Sequence, residues 1–174
     1  MASNHKQELE IYFQKVTGQL TTAAIRRATK VGAMKAVELI QQRNDEGKDI
    51  SDQKFARRNP RYLKRKARLI RRYSGRFAAK SASDWMRLSG GLYRSMSFKG
   101  IKTIRHGKSV SGLFTLYIKG SKQQKQMDGL MKKRKLWPLS KLGTARRGRE
   151  NRAIARAMKD ALRVSTSRGV VIER

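Results

Sequence analysis

Apolar residues recur at helical spacing in the first part of the chain. Leu9, Tyr12, Phe13 and Val16 fall on one stripe, which predicts a helix over residues 4–16. A second helix is predicted over residues 20–43, where alanines and other small residues dominate one face and favour close packing. We therefore expect residues 1–44 to be helical. The polar run that follows ends at Gly47, which can adopt left-handed backbone angles after a helix.

The middle of the chain changes to strand-like alternation. We predict strands over residues 92–98, 100–105 and 110–118, the last alternating most regularly. His106, Gly107 and Lys108 lie between two of these runs and predict a hairpin turn. Residues 84–120 are therefore expected to hold a turn and an antiparallel sheet.

Helical spacing returns near the C-terminal end, over residues 145–163. Ile154, Met158 and Leu162 define its apolar face. Arginines crowd its N-terminal end, where positive charge opposes the helix dipole. Their position therefore predicts contact with phosphate or with an acidic neighbour.

These patterns predict one domain over residues 1–174, of the α+β class. Its N-terminal and C-terminal helices should pack on a small antiparallel β-sheet, with basic extended segments between them. Three basic segments are expected. Residues 45–83 form an insertion that contains a helix, residues 121–144 form a loop, and residues 164–174 form a tail. Within the insertion, Asn59 and Pro60 predict a helix N-terminus.

The charge of the chain sets the class of partner. Lysine and arginine number 43 against 12 acidic residues, a net charge of +31. Such a chain repels itself and favours a polyanion, and nucleic acid is the densest one available. An anionic membrane surface or an acidic protein would also supply counter-charge. There is no cysteine, and no apolar run suggests a signal peptide or a membrane span, so we expect a protein made in a cytoplasm with no membrane partner.

Catalytic motifs are missing from the sequence, and we expect no enzyme activity, no cofactor and no metal site. His5 and His106 are isolated and are expected at the surface. Paired carboxylates could still serve a Mg²⁺-dependent nuclease, for which Asp128 and Asp160 are the residues to test.

A turn motif precedes the strands. Gly90 supplies the backbone freedom for a turn, Leu92 is expected to face the core, and Ser95 can bond a nearby backbone group. The stretch from Asn59 to Lys66, followed by the run from Leu88 to Met96, resembles the virion-morphogenesis or tail-completion proteins of tailed bacteriophages. Besides the basic helix, the match rests on the turn positions Ser89, Gly90, Leu92, Ser95 and Met96, the loop positions Arg134, Leu136 and Trp137, and the last helix from Ile154 to Leu162.

This resemblance implies a structural protein at the neck of the virion, made in the host cytoplasm, that completes the tail and joins it to the DNA-filled head. The implied partners are connector or adaptor proteins, tail tube or sheath proteins, further copies in a homo-oligomeric ring, and double-stranded DNA contacted through its phosphates. The candidate contacts with DNA or an acidic partner are Arg57, Arg58, Lys64, Arg65, Arg68, Arg71, Arg72, Lys132, Lys133, Arg134, Lys135, Arg146, Arg147 and Arg149. Each of these patches could instead be a solvated face or a salt-bridged subunit interface.

A ribosomal or other RNA-binding structural protein is the alternative interpretation of the same composition. Tyr62, Tyr73, Phe77 and Trp137 lie among cations and could stack on unpaired bases. Assembly distinguishes the two, because a ribosomal protein binds RNA as a single copy whereas a neck protein self-associates.

Overall fold

The computed structural model describes residues 6–13, 21–55, 59–73, 78–81, 90–106, 109–132, 139–140 and 143–166. It confirms the α+β class, with helices packed on a small antiparallel sheet. In chain order the elements are β1 (Lys6–Phe13), α1 (Thr22–Asp45), α2 (Pro60–Ile70), α3 (Gly91–Ser95), β2 (Met96–His106), β3 (Ser109–Ile118), α4 (Ser121–Met131) and α5 (Ala145–Thr166).

Helix α1 confirms the second predicted helix and forms the centre of the fold. The Thr21 side chain caps it by accepting a hydrogen bond from the Ala24 backbone N–H at 3.2 Å. Its buried face is built mainly from small residues, including Ala28, Ala33 and Ala36. The predicted left-handed residue is confirmed after its end, where Gly47 has φ = 72°.

The sheet has three strands in the order β1-β3-β2, and both pairs are antiparallel. Phe114, Leu116 and Ile118 of β3 are buried and belong to the same core cluster as the small residues of α1. Gly112 stands where a side chain would collide with Thr29 of α1. Its missing side chain therefore lets the helix approach the sheet closely.

The predicted helix over residues 4–16 is wrong for residues 6–13, which form strand β1, while residues 14–16 lie outside the described part. Leu9, Ile11 and Phe13 alternate along the chain, so the same residues also fit a strand. Pairing decides between the two patterns, because β3 pairs with β1 along its whole length, from Lys6 to Phe13. Residues 1–44 are accordingly not uniformly helical.

The prediction of separate strands over residues 92–98 and 100–105 is also wrong. Residues 91–95 form the short helix α3, and a single strand, β2, runs on to His106. At Gly100, with φ = 64°, a β-bulge shifts the register between Lys99 and Lys102. The hairpin prediction agrees with the pairing of His106 with Ser109, although residues 107–108 lie outside the described part.

The bulge changes which side chains of β2 reach the core. Without an extra residue, Phe98 and Ile101 would lie on opposite faces of the sheet. With it, both pack against the core, and Lys99 and Lys102 are both exposed. One inserted residue therefore keeps two apolar side chains inside and two lysines outside.

The predicted loop over residues 121–144 is wrong for residues 121–131, which form helix α4. Met127 is fully buried, and Leu130 and Met131 pack against the same core, because their helical spacing gives α4 an apolar face. The C-terminal helix is confirmed as α5, which packs Ile154 and Met158 against α1. It continues to Thr166, so the first residues of the expected tail are helical.

Among the described helices, none combines the length and the apolar content needed to cross a bilayer.

Candidate nucleic-acid interface

Helix α2 begins where the sequence predicted it. The Asn59 side-chain oxygen accepts a hydrogen bond from the Arg61 backbone N–H at 2.8 Å, and Pro60 occupies the first helical position. This cap satisfies one of the backbone donors that a helix start leaves without an intrahelical partner. The sequence thus fixes the position of the first turn and, with it, the direction of every later side chain.

The two sides of α2 differ sharply in polarity. Lys66 is buried to 2% exposure, and Leu63, Leu69 and Ile70 are half-buried beside it on the helix. Tyr62 on the same helix is 50% exposed. At about 100° per residue, the remaining cations fall within an arc of roughly 120° on the other side. These six exposed side chains, here called the α2 cationic face, are Arg61, Lys64, Arg65, Arg68, Arg71 and Arg72.

The α2 cationic face has no internal counter-charge in the described part of the chain. Within that part, none of its six side chains lies at ion-pair distance from a carboxylate. The sequence explains why, because the only acidic residues between Asp52 and Glu150 are Asp84 and Asp128. The face is therefore a dense positive surface available to a partner.

The predicted cations that flank α2 and α4 differ in what the structure describes. Lys132 is exposed directly after α4. Arg57, Arg58, Lys133, Arg134 and Lys135 lie outside the described residues, as does Ser89 of the turn motif.

Arg146 and Arg147 are two of the predicted contacts with DNA or an acidic partner. Both side chains are largely buried, which argues against the DNA alternative for them. Arg146 Nη1 lies 2.7 Å from Glu46 and 3.0 Å from Asp52. Arg147 donates to the Ser140 carbonyl oxygen at 3.4 Å. The acidic neighbour expected at the start of α5 therefore exists, and it belongs to the same chain.

Arg149, the third candidate of that group, points outward. It is 58% exposed, although its Nη2 atom also lies 3.4 Å from Asp52. Arg149 therefore lies beside the contacts of Arg146 with Glu46 and Asp52, and its side chain remains accessible to a partner at the surface.

An ion pair with both partners buried, which the sequence did not reveal, joins α1 to α5. Arg43 of α1 is fully buried, with its Nη1 atom 3.5 Å from Glu150 of α5 and 3.2 Å from the Ser140 hydroxyl. Glu150 also accepts from the Ser140 backbone N–H at 2.9 Å and from its hydroxyl at 2.8 Å. Burial lowers the pKa of Arg43 to about 10, against the opposing effect of Glu150, so Arg43 stays charged near neutral pH.

The carboxylates at the end of α1 are held in their ionised form. The hydrogen bond from Arg146 lowers the pKa of Glu46 below its usual value. Burial acts to raise the pKa of Asp52, but hydrogen bonds from Arg146 and Lys48 outweigh it and lower that pKa. In Arg146, burial acts to lower the pKa, and the two carboxylates raise it overall. These acids are thus used to hold α5 and the turn after α1 together.

The turn motif at the start of α3 is structural, as expected from the sequence. Gly90 has φ = 73°, Leu92 is buried, and the Ser95 hydroxyl donates to the Leu92 carbonyl at 2.7 Å. Tyr93, which sequence reasoning missed, donates its hydroxyl proton to Asp45 at 2.8 Å and so fixes α3 to the end of α1.

The two acids considered for a nuclease lie on different helices, Asp128 on α4 and Asp160 on α5. In the part of the chain that the structure describes, no three histidine or acidic side chains come together in a group that could hold a metal ion.

Comparison with known proteins assigns no family: no family model, no curated protein and no solved structure matches this chain.

Proposed function

We propose that this chain is a structural protein that binds nucleic acid through phosphates, without reading base sequence, and that α2 is its main contact element. The single observation that carries the proposal is the α2 cationic face, six exposed cations on one side of a helix with no carboxylate beside them in the described structure. The setting implied by the sequence resemblance is the head–tail junction of a tailed bacteriophage. There a ring of copies would join the tail to the DNA-filled head.

The chemistry of the face suits phosphate. Five of its six cations are arginines, whose planar guanidinium offers paired donors to a phosphate group. From Arg61 to Arg68 the helix rises about 10 Å, and Arg71 and Arg72 follow directly after its last residue, so the face spans several phosphates of a duplex. Each phosphate that is neutralised releases counterions, and this release supplies affinity independent of sequence.

The test is the salt dependence of binding to double-stranded DNA, measured by fluorescence anisotropy on two duplexes of unrelated sequence. Replacing Arg65, Arg68 and Arg72 by Gln removes three cations from the face. If all three contact phosphates, the slope of log K against log salt becomes shallower by about 2.7. Both duplexes should be affected equally.

The control removes the same charge elsewhere. Arg152, Arg156 and Lys159 are exposed on α5, and their replacement by Gln also lowers the net charge by three. This variant should keep most of the wild-type slope. Equal losses in the two variants would show that net charge, and not the α2 cationic face, governs binding.

A second candidate function is binding of unpaired RNA in a ribosomal setting. It is favoured by Tyr62 and Tyr73, which are exposed beside the α2 cationic face and offer rings for base stacking. Replacing both by Ala should cost about 1–3 kcal/mol per stacked base with single-stranded RNA and leave duplex binding unchanged. Light scattering with and without nuclease separates the two functions. A discrete oligomer that survives nuclease supports the neck function, and a monomer that loses bound RNA supports the ribosomal one.

A further inference from the structure

The sheet ends in two strands that carry opposite charge. β3 is central, and among the described residues no strand pairs with the outer edge of β1 or of β2. An unpaired edge exposes backbone donors and acceptors that can pair with another chain. β1 contains Glu8 and Glu10, two of the few acidic residues of the protein, whereas β2 contains Lys99 and Lys102.

The register places these residues in common rows across the sheet. Thr115 of β3 pairs with Glu8 on one side and with Lys99 on the other. Leu113 pairs with Glu10 on one side and with Lys102 on the other. The bulge at Gly100 creates the second of these rows, because without the extra residue Leu113 would pair with Ile101. Each row therefore begins with an acid at one edge and ends with a lysine at the other.

We infer that copies of this chain join edge to edge, the β2 edge of one copy pairing with the β1 edge of the next. Both edge strands are antiparallel to β3, so they run parallel to each other, and a sheet continued in the same orientation forms a parallel pair at the junction. With the rows kept in line, Lys99 meets the next copy's Glu8. Lys102 then meets the next copy's Glu10.

The charges also oppose the alternative two-fold arrangement. Pairing two β2 edges brings the lysines of both copies together, and pairing two β1 edges brings the glutamates together. Like charges opposite each other destabilise a strand pair. A junction between unlike edges is heterologous, and heterologous contacts close into rings when the rotation allows. The inference deepens the proposed function by naming the ring contact, and it rests on that function for its setting.

Edge lysines alone are a common defence against aggregation. The matching acids in the same rows of the opposite edge distinguish an interface from such a defence. If the edges form an interface, reversing the charges of one edge should separate the copies, and mixing two complementary variants should rejoin them. If the edge lysines only prevent aggregation, mixing should have no such effect.

The experiment uses two reversed full-length variants, Glu8→Lys with Glu10→Lys, and Lys99→Glu with Lys102→Glu. Each variant alone has edges of one sign, so its mass by light scattering, at moderate salt and after nuclease treatment, should fall from an oligomer to a monomer. An equimolar mixture has complementary edges again and should recover the wild-type mass with both variants in equal amount. Recovery on mixing also shows that both variants are folded.

A matched control changes Lys122 and Lys125 to Glu on the exposed side of α4, with the same change in net charge as the second variant. Its mass should equal that of the wild type. A wild-type oligomer that keeps its mass in both reversed variants would overturn the edge junction, as would a wild type that stays monomeric with and without duplex DNA. Duplex binding and its salt slope, measured on the same samples, report on the α2 cationic face separately, so the edge junction can fail while DNA binding stands.

Discussion

At the scale of single residues, the side chain of Glu150 is the counter-charge for arginines that have little or no access to water. It is 3% exposed and accepts hydrogen bonds from Ser140 and Arg43, while Arg146 Nε lies 3.6 Å away. A buried ion pair adds little net stability compared with apolar packing, because desolvation offsets the attraction. Removing one partner is different, since the other charge is left buried without compensation.

We predict that Glu150→Gln lowers the free energy of unfolding by about 3–5 kcal/mol, measured by urea denaturation. The matched control is Glu38→Gln, which breaks the ion pair with Lys35 at 3.0 Å. Glu38 is 62% exposed, so its loss should cost less than about 1 kcal/mol. Equal costs for the two substitutions would mean that Arg43 does not depend on Glu150.

At the scale of elements, the bulge in β2 depends on the backbone of Gly100. We predict that Gly100→Ala lowers the free energy of unfolding by about 1–2 kcal/mol, because a residue with a side chain is strained at φ = 64°. Space is not the cause, since the nearest atom to an added Cβ is the Thr115 hydroxyl at 3.7 Å.

Gly129→Ala in α4 is the control for that substitution, again by urea denaturation. An added Cβ there meets no atom within 4 Å, and alanine favours the helix by up to about 1 kcal/mol. The two glycines should therefore respond with opposite sign. A stabilising Gly100→Ala would contradict the bulge.

Elements were predictable where local chemistry decides them. Asn59 and Pro60 located the start of α2, and the spacing of Ile154 and Met158 gave α5. Strand β1 was missed because Leu9 fits a helix as well as a strand, and its partner is β3, about a hundred residues later in the chain. Helix α4 was missed because its charge favoured a loop, although Met127, Leu130 and Met131 already had helical spacing.

The candidate site also contains residues whose exposure was predictable from sequence and residues whose burial was not. The six cations of the α2 cationic face are exposed because Leu63, Leu69 and Ile70 lie on the opposite side of the helix, and these apolar positions can be read from sequence. The burial of Lys66 among them cannot. Arg146 and Arg147 look alike in sequence to the exposed arginines around them. Arg146 is held by Glu46 and Asp52, about a hundred residues earlier, and Arg147 by the Ser140 carbonyl oxygen. Periodicity within α5 contains no signal of either contact.

At the scale of the whole molecule, much of the limited acidic charge is used to hold the scaffold together. Because Glu46 and Asp52 have lower pKa values in the folded state, the unfolded chain binds more protons as the solution is acidified. Their stabilisation is complete above about pH 5 and is lost as pH falls through their folded pKa values. Protonation also raises a net charge that is already +31.

We therefore predict that the free energy of unfolding falls steadily from about pH 5 to pH 3 at constant ionic strength, measured by urea denaturation. In Arg146→Gln the main hydrogen-bond donor to both carboxylates is gone, so the dependence on pH should be weaker. Arg152→Gln, an exposed change on the same helix, should keep the wild-type dependence. Stability that rises on acidification would contradict this role of the two acids.

The contact between Arg43 and Glu150 joins residues that are 107 positions apart in the chain. During synthesis, α1 leaves the ribosome long before Glu150 has been translated. Until then α1 has neither that counter-charge for Arg43 nor α5 to pack against. The helix therefore cannot complete its native packing early, and the fold should consolidate only after translation has passed α5, so the order of synthesis delays the last step of folding.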